Sequence, residues 1–148
     1  KSVIESGEDV CVLCEGDPFF YGSFMHIYER LRFEAPIEVI PAITGMSAAW
    51  TATGLPITWG DNILTILTGT LSKEALVDKI STTDAAVIMK VGQNLDKIRA
   101  AITLAERESD AFIVEYAAMS NQSVCKLVEY TKAVAPYFSI IILHGEAK

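Results

Sequence analysis

Four turns carry the residue types that can hold a polar ligand. The first, Glu15-Gly16-Asp17-Pro18-Phe19-Phe20-Tyr21-Gly22, sets a glycine, a carboxylate and a proline in succession. Gly16 lets the backbone come close to a ligand, and Pro18 fixes the chain where a helix begins. The Asp17 carboxylate can accept hydrogen bonds from hydroxyls or cap the helix start. The second turn, Pro41-Ala42-Ile43-Thr44-Gly45-Met46-Ser47, runs into a helix N-terminus. Free N–H groups and the Thr44 hydroxyl can meet a polar ligand there, or Thr44 can cap its own helix. The third is Met89-Lys90-Val91-Gly92-Gln93-Asn94, where the Met89 thioether either fills core or lines a flat ligand, with Lys90 facing differently. The fourth is Glu115-Tyr116-Ala117-Ala118-Met119, whose small residues permit close backbone approach. In parallel α/β sheets ligands sit outside the carboxyl ends of strands, which is where these turns are expected.

Other chemistries lack their residues. Only His26 and His144 are available. His26 falls mid-helix beside an apolar stripe, a structural or surface position, and the role of His144 after the last strand stays open. No nucleophile–base pair, zinc-ligand spacing or phosphate loop is present. Cys11 and Cys14 form a C-x-x-C, but inside the apolar run Val10-Cys11-Val12-Leu13-Cys14 with no second pair, so they read as small buried hydrophobes. Cys125 has no obvious partner. An odd cysteine count without a signal peptide points to a reducing, cytoplasmic setting.

Periodic patterns supply the elements that must position these turns. The continuous apolar run at 10–14 predicts a strand covered on both faces. Phe20, Phe24, Ile27, Tyr28 and Leu31 form one stripe of a helix, with Arg30 and Arg32 near its end. A short strand at 37–40 stops at Pro41. Ile43, Met46, Trp50 and Thr53 mark a second helix, broken by Gly54-Leu55-Pro56. A fresh set follows: a strand at 63–67, and a helix capped by Ser72 that carries Leu76, Val77 and Ile80. Next come a strand at 85–91 and a helix capped by Asn94 with Leu95, Ile98, Ile102 and Ala105 inward. Strands at 111–115 and 140–143 complete the set, with a short strand or hairpin near 124–128. The fold class is α/β, sheets covered by helices. The 148 residues allow one domain or parts of two, and 56–62 is the expected boundary.

Composition narrows the partners. Half of the chain is apolar (51%) and 21% is charged, which fits a protein with a real core. With 19 acidic against 12 basic residues and a net charge of −7, nothing attracts a phosphate backbone or an anionic membrane surface. No apolar run approaches the ~20 residues of a membrane span. The opening Lys1-Ser2-Val3-Ile4-Glu5-Ser6-Gly7 has neither initiator nor cap, so the chain is expected to begin partway through a larger protein.

Read together, the turns bear a family likeness. The run from Gly16-Asp17-Pro18-Phe19-Phe20-Tyr21-Gly22 through Ser23-Phe24-Met25-His26-Ile27-Tyr28-Glu29-Arg30-Leu31 resembles the tetrapyrrole (corrin/porphyrin) methylases. So do Glu38-Val39-Ile40-Pro41, Gly54-Leu55-Pro56, Met89-Lys90-Val91-Gly92-Gln93-Asn94-Leu95 and Pro136-Tyr137-Phe138-Ser139. Within that family the chain is similar to the group that methylates carbon-20 of precorrin-2, or of its cobalt-loaded counterpart, cobalt-factor II, in cobalamin biosynthesis. The resemblance implies two α/β domains with an S-adenosylmethionine cleft between them and a homodimeric assembly. Residues 1–56 would be the C-terminal part of the first domain and 57–148 the second. The cofactor contacts it implies are Glu15, Gly16, Asp17 and Phe20, then Thr44 and Gly45, then Met89 and Ala117. A phenol assisting the proton rearrangement of the ring would be Tyr137, which otherwise reads as an interface or core residue. Arg30, Arg32 and Lys90 are available for the carboxylates of the tetrapyrrole. Two departures stand out: Ala42 follows the proline where the family usually has glycine, and the family's N-terminal Gly-rich loop is absent. These residues alone are therefore expected to bind cofactor weakly and turn over little. A sister methylase acting at another ring position or on another substrate, and a non-catalytic binding module, are the alternatives.

Overall fold

All five strands among the described residues lie between Leu64 and Leu143. The structure, a computed structural model, describes residues 2–147. They form two compact units, one up to Gly45 and one from Met46 onward.

The first unit is built from turns and two helices, α1 (Ser2–Glu5) and α2 (Phe24–Leu31). The expected helical stripe from Phe20 starts four residues later, because the chain before it is held in turns. The Phe19 N–H bonds to the Asp17 side chain, the Phe20 N–H donates to the Asp17 carbonyl, and Tyr21 adopts φ +53. Phe24 and Tyr28 then repeat one turn apart and gather Phe19 into an aromatic cluster, with Phe19 edge-on to Tyr28 at 4.7 Å. Neither expected strand of this unit forms: residues 10–14 and 37–40 lie in no helix, turn or ladder. A strand exists only where a neighbour takes its N–H and C=O groups, and neither segment is paired in the sheet. The cysteines follow the backbone: Cys11 and Cys14 are exposed, against the buried positions expected of them.

The second unit opens with α3 (Gly45–Ala52) and continues β1 (Leu64–Thr68), α4 (Lys73–Ser81), β2 (Ala85–Met89), α5 (Leu95–Leu104), β3 (Ala111–Glu115), β4 (Ser123–Lys126) and β5 (Ser139–Leu143). Every expected element is present. Ser72 caps α4 as expected, its hydroxyl accepting from the Ala75 N–H at 3.2 Å. Asn94 precedes α5 but makes no side-chain cap; its amide reaches back to the Lys90 carbonyl at 3.0 Å.

The sheet order is β1-β2-β5-β3-β4. β1 and β2 are parallel, and β5 runs antiparallel to both β2 and β3. Hence β1, β2 and β3 point the same way, and their carboxyl ends share one edge of the sheet. Alternation divides the core. Ile88, Ile113, Ile141 and Leu143 face Leu76 and Ile80 of α4 and Leu95, Ile98 and Ile102 of α5. Val87, Val114 and Ile142 face Ala49 of α3, with Met46, Trp50 and Ile57 around it. The two compact units divide at Gly45, and α3 covers the second face of the sheet.

The opposite edge is tied by Arg107. Its guanidinium donates to Asp110, to the Thr83 carbonyl at 2.9 Å and to the Asp84 carbonyl at 2.8 Å. His144 follows β5 at this edge and is buried. Its ring lies 3.0 Å from the Thr53 hydroxyl and 3.0 Å from the Pro56 carbonyl. The histidine left open by the sequence therefore anchors the end of α3 to the end of the sheet.

Candidate functional site

In the first unit the turn at 15–22 and the loop at 41–45 are joined by one side chain. The Asp17 Oδ1 accepts from the Phe19 N–H at 2.9 Å, and Oδ2 accepts from the Ala42 N–H at 3.1 Å. Gly16 sits at φ +88, a conformation that favours glycine, and a Cβ there would stand 3.8 Å from both the Ile43 carbonyl oxygen and the Gly45 nitrogen. The structure thus brings Glu15, Gly16 and Asp17 beside Thr44 and Gly45, five of the positions singled out by sequence. Thr44 occupies the position before α3. Phe20 is half-buried and meets Tyr21 edge-on at 5.0 Å. His26 lies exposed on α2, as expected. Arg32 pairs with Glu29 at 3.3 Å and lies over the Phe33 ring.

In the second unit the remaining positions collect at the shared carboxyl edge. Met89 ends β2, and the turn after it is tightly specified: Lys90 has φ +55 and Gly92 φ +31. The Gly69 N–H, leaving β1, donates to the Met89 carbonyl at 2.7 Å. After β3, Tyr116 (φ +51) and Ala118 (φ +62) flank Ala117 in left-handed conformations, uncommon for residues with a Cβ. The turn is secured by the Tyr116 N–H to the Phe138 carbonyl at 2.8 Å and by the Ala118 N–H to the Gln122 Oε1 at 2.7 Å. The Met89 and Ala117 side chains both pack toward the α3 face of the sheet. Tyr137, just before β5, is 89% exposed, touching only the edge of the Phe138 ring at 5.1 Å among aromatic groups. Its exposure removes the core reading of that tyrosine.

Sequence reasoning missed a buried polar group at the same edge. Glu115, the last residue of β3, points to the α4–α5 face. Its carboxylate accepts from the Tyr130 hydroxyl and, through both oxygens, from the Lys132 ammonium at 2.9 Å. Burial alone would push the Glu115 carboxyl up; the bonds from Tyr130 and Lys132 outweigh it and hold the group below the usual carboxylate range. Tyr130 moves the other way, its phenol pushed above its ordinary range by burial and by the Glu115 carboxylate. No local signal announces this trio, because Tyr130 and Lys132 stand 15 and 17 residues from Glu115. Gly69 was also missed, although a glycine directly after a strand is a recognisable sign of close backbone approach.

This arrangement can orient a ligand through backbone groups and small side chains. Among the described residues, no cluster of His, Cys, Asp or Glu is arranged to hold a metal ion, and no helix is long and apolar enough to cross a membrane.

Comparison with known proteins gives three findings. The model of the "Tetrapyrrole (Corrin/Porphyrin) Methylases" matches residues 2–131. Over 142 residues the chain is 46% identical to a precorrin-2 C(20)-methyltransferase of Sinorhizobium sp, which covers 96% of this chain and 58% of that relative. The chain therefore spans less than two thirds of the relative's length. Among solved structures, a cobalt precorrin-4 methyltransferase superimposes with a TM-score of 0.80 at 20% identity, over 97% of this chain and 66% of that one. A uroporphyrin-III C-methyltransferase from Thermus thermophilus, complexed with S-adenyl homocysteine, gives 0.60 at 22% identity, over 86% and 62%. These two likenesses establish the fold.

Proposed function

Because the chain belongs to the tetrapyrrole (corrin/porphyrin) methylases, we propose that it forms part of an enzyme that transfers a methyl group from S-adenosylmethionine to carbon-20 of precorrin-2 or cobalt-factor II in cobalamin biosynthesis. The observation that carries this reading is the 46% identity, along nearly the whole chain, to a precorrin-2 C(20)-methyltransferase. Residues 1–56 are then the end of the family's first domain and 57–148 its second.

The four turns supply what such a reaction needs. S-adenosylmethionine brings an already activated methyl group, and the reduced macrocycle is a carbon nucleophile, so the protein's part is orientation. Glu15, Gly16, Asp17, Phe20, Thr44 and Gly45 in the first unit, and Met89 and Ala117 in the second, are the proposed donor-binding positions. They fit: Gly16 leaves the backbone of two loops open to a ligand where a side chain would fill the space, and Ala117 adds only a methyl group beside its turn. The sulfonium charge is lost on transfer, so a neutral surround of backbone groups, a thioether and small side chains is sufficient. Tyr137 is the proposed phenol for the proton rearrangement of the ring, and its exposure leaves the hydroxyl reachable. Arg30, Arg32 and Lys90 are the cations offered to the carboxylates of the tetrapyrrole. The family resemblance also supports a homodimer in the cytoplasm.

The test is mass and carbon NMR analysis of the product after incubation of the full-length protein that contains this chain with labelled S-adenosylmethionine and, separately, precorrin-2 and its cobalt-loaded form. Label at carbon-20 is expected. Label at another ring carbon would make the chain part of a sister methylase, and binding without transfer would make it a binding module.

A further inference from the structure

We propose that the Asp17 carboxylate serves the donor site as a brace that fixes the spacing of the two loops of the first unit, so that its place among the donor-binding positions is a supporting one; this rests on the reading of those loops as part of an S-adenosylmethionine site. Each carboxylate oxygen already holds a backbone N–H. Oδ1 closes the local turn through the Phe19 N–H at 2.9 Å, while Oδ2 reaches 25 positions along the chain to the Ala42 N–H at 3.1 Å. Only a carboxylate offers an acceptor at both oxygens. An asparagine in the same place keeps one acceptor and turns an NH2 group toward the other backbone donor.

The loop needs such an anchor. Residues 36–44 lie in no helix or strand, so no ladder sets their position. Meanwhile Gly16, next to the brace, lies alongside that loop: an added Cβ would stand at ordinary contact distance, 3.8 Å, from both Ile43 and Gly45 backbone atoms. The charge-assisted bond from Asp17 to Ala42 thus holds Glu15 and Gly16 in register with Thr44 and Gly45. It also explains how alanine is accommodated at position 42: what the site uses there is the N–H, which alanine shares with glycine.

The experiment compares wild type, Asp17→Asn and Asp17→Ala, each in the full-length protein that contains this chain, by two measurements. Amide hydrogen exchange is followed by NMR at Phe19 and Ala42, with the helical Arg32 amide as the folding control in the same unit. Affinity is measured by calorimetry for S-adenosylhomocysteine and for its 2′,3′-dideoxy analogue, which lacks the ribose hydroxyls an aspartate would bind. Both variants should speed exchange at Ala42 by about tenfold while leaving Arg32 unchanged, and weaken both ligands by the same factor, again about tenfold. If Asp17→Ala loosens Arg32 as well, Asp17→Asn carries the comparison. Unchanged exchange at Ala42, or unchanged affinity despite faster exchange, overturns the proposal. So does a loss of affinity seen with S-adenosylhomocysteine and absent with the dideoxy analogue, which would mean direct contact. A full-length wild-type protein that binds neither ligand removes the donor-site reading and the role assigned to the brace with it, and the Ala42 exchange shows separately whether the brace itself exists.

Discussion

Gly69→Ala probes how the carboxyl edge of the sheet is set. Gly69 is buried directly after β1, and its backbone lies outside the left-handed region, so the cost of a side chain there is steric. An added Cβ would stand 2.7 Å from the Ile98 Cδ1, 2.8 Å from the Lys90 carbonyl oxygen and 3.2 Å from the Asn94 Cβ. The first neighbour ends a fully buried side chain of α5, and the second is backbone of the turn that follows Met89. Neither can yield without moving the core or that turn. Overpacking of this kind costs about 1–3 kcal/mol. With a urea dependence of about 1–3 kcal/mol per molar, the unfolding midpoint should fall by roughly 1 M. Ile98→Val deletes the Cδ1 and by itself costs about 0.5–1.5 kcal/mol. In the Gly69→Ala background it should cost less, giving a favourable coupling of about 0.5 kcal/mol or more, while the clash with the Lys90 carbonyl persists. The assay is urea unfolding of the four proteins of the cycle, followed by far-ultraviolet circular dichroism. A Gly69→Ala midpoint indistinguishable from wild type, or zero coupling to Ile98→Val, would refute the packing argument.

Two further outcomes follow from other parts of the structure. Tyr137→Phe should lower methyl transfer while leaving the affinity for S-adenosylhomocysteine intact, since the hydroxyl is exposed and outside the proposed donor-binding turns; unchanged turnover in single-turnover assays would remove Tyr137 from the reaction. Burial holds the His144 imidazole below its ordinary pKa, despite its bond to the Pro56 carbonyl. The unfolded chain then takes up a proton at about pH 6.5 that the folded chain resists. Stability from this group is fully present above that pH and declines as the pH falls through the folded value. His144→Gln should flatten the fall in urea midpoint between pH 7 and pH 5, and an identical slope in both proteins would show that another group is responsible.

Much of the second unit is legible in the sequence, for a local reason. Leu76 with Ile80, and Leu95 with Ile98 and Ile102, recur at helical spacing, while residues 85–89 and 139–143 are strand-length apolar runs bounded by polar turns. Each pattern also found its partner within the same unit, so local preference and tertiary packing agreed. The first unit shows the opposite. Val10-Cys11-Val12-Leu13-Cys14 has the composition of a buried strand, yet Leu13 is 92% exposed. Composition states a readiness to pair; a ladder needs a neighbour, and that is a property of the whole arrangement.

The turns of the candidate site divide in the same way. Their residue types, a Gly-Asp-Pro, a strand-exit methionine and a pair of alanines, are written in the chain and make them candidates for a ligand. The tertiary structure decided what each group is engaged in. It gave each Asp17 oxygen a backbone donor, gathered Glu115, Tyr130 and Lys132 from separate elements, and set His144 at the sheet edge opposite Met89 to hold the end of α3. Hydrogen bonds and close contacts between distant positions depend on where strands run and which edge they share. No spacing along a chain encodes that directly.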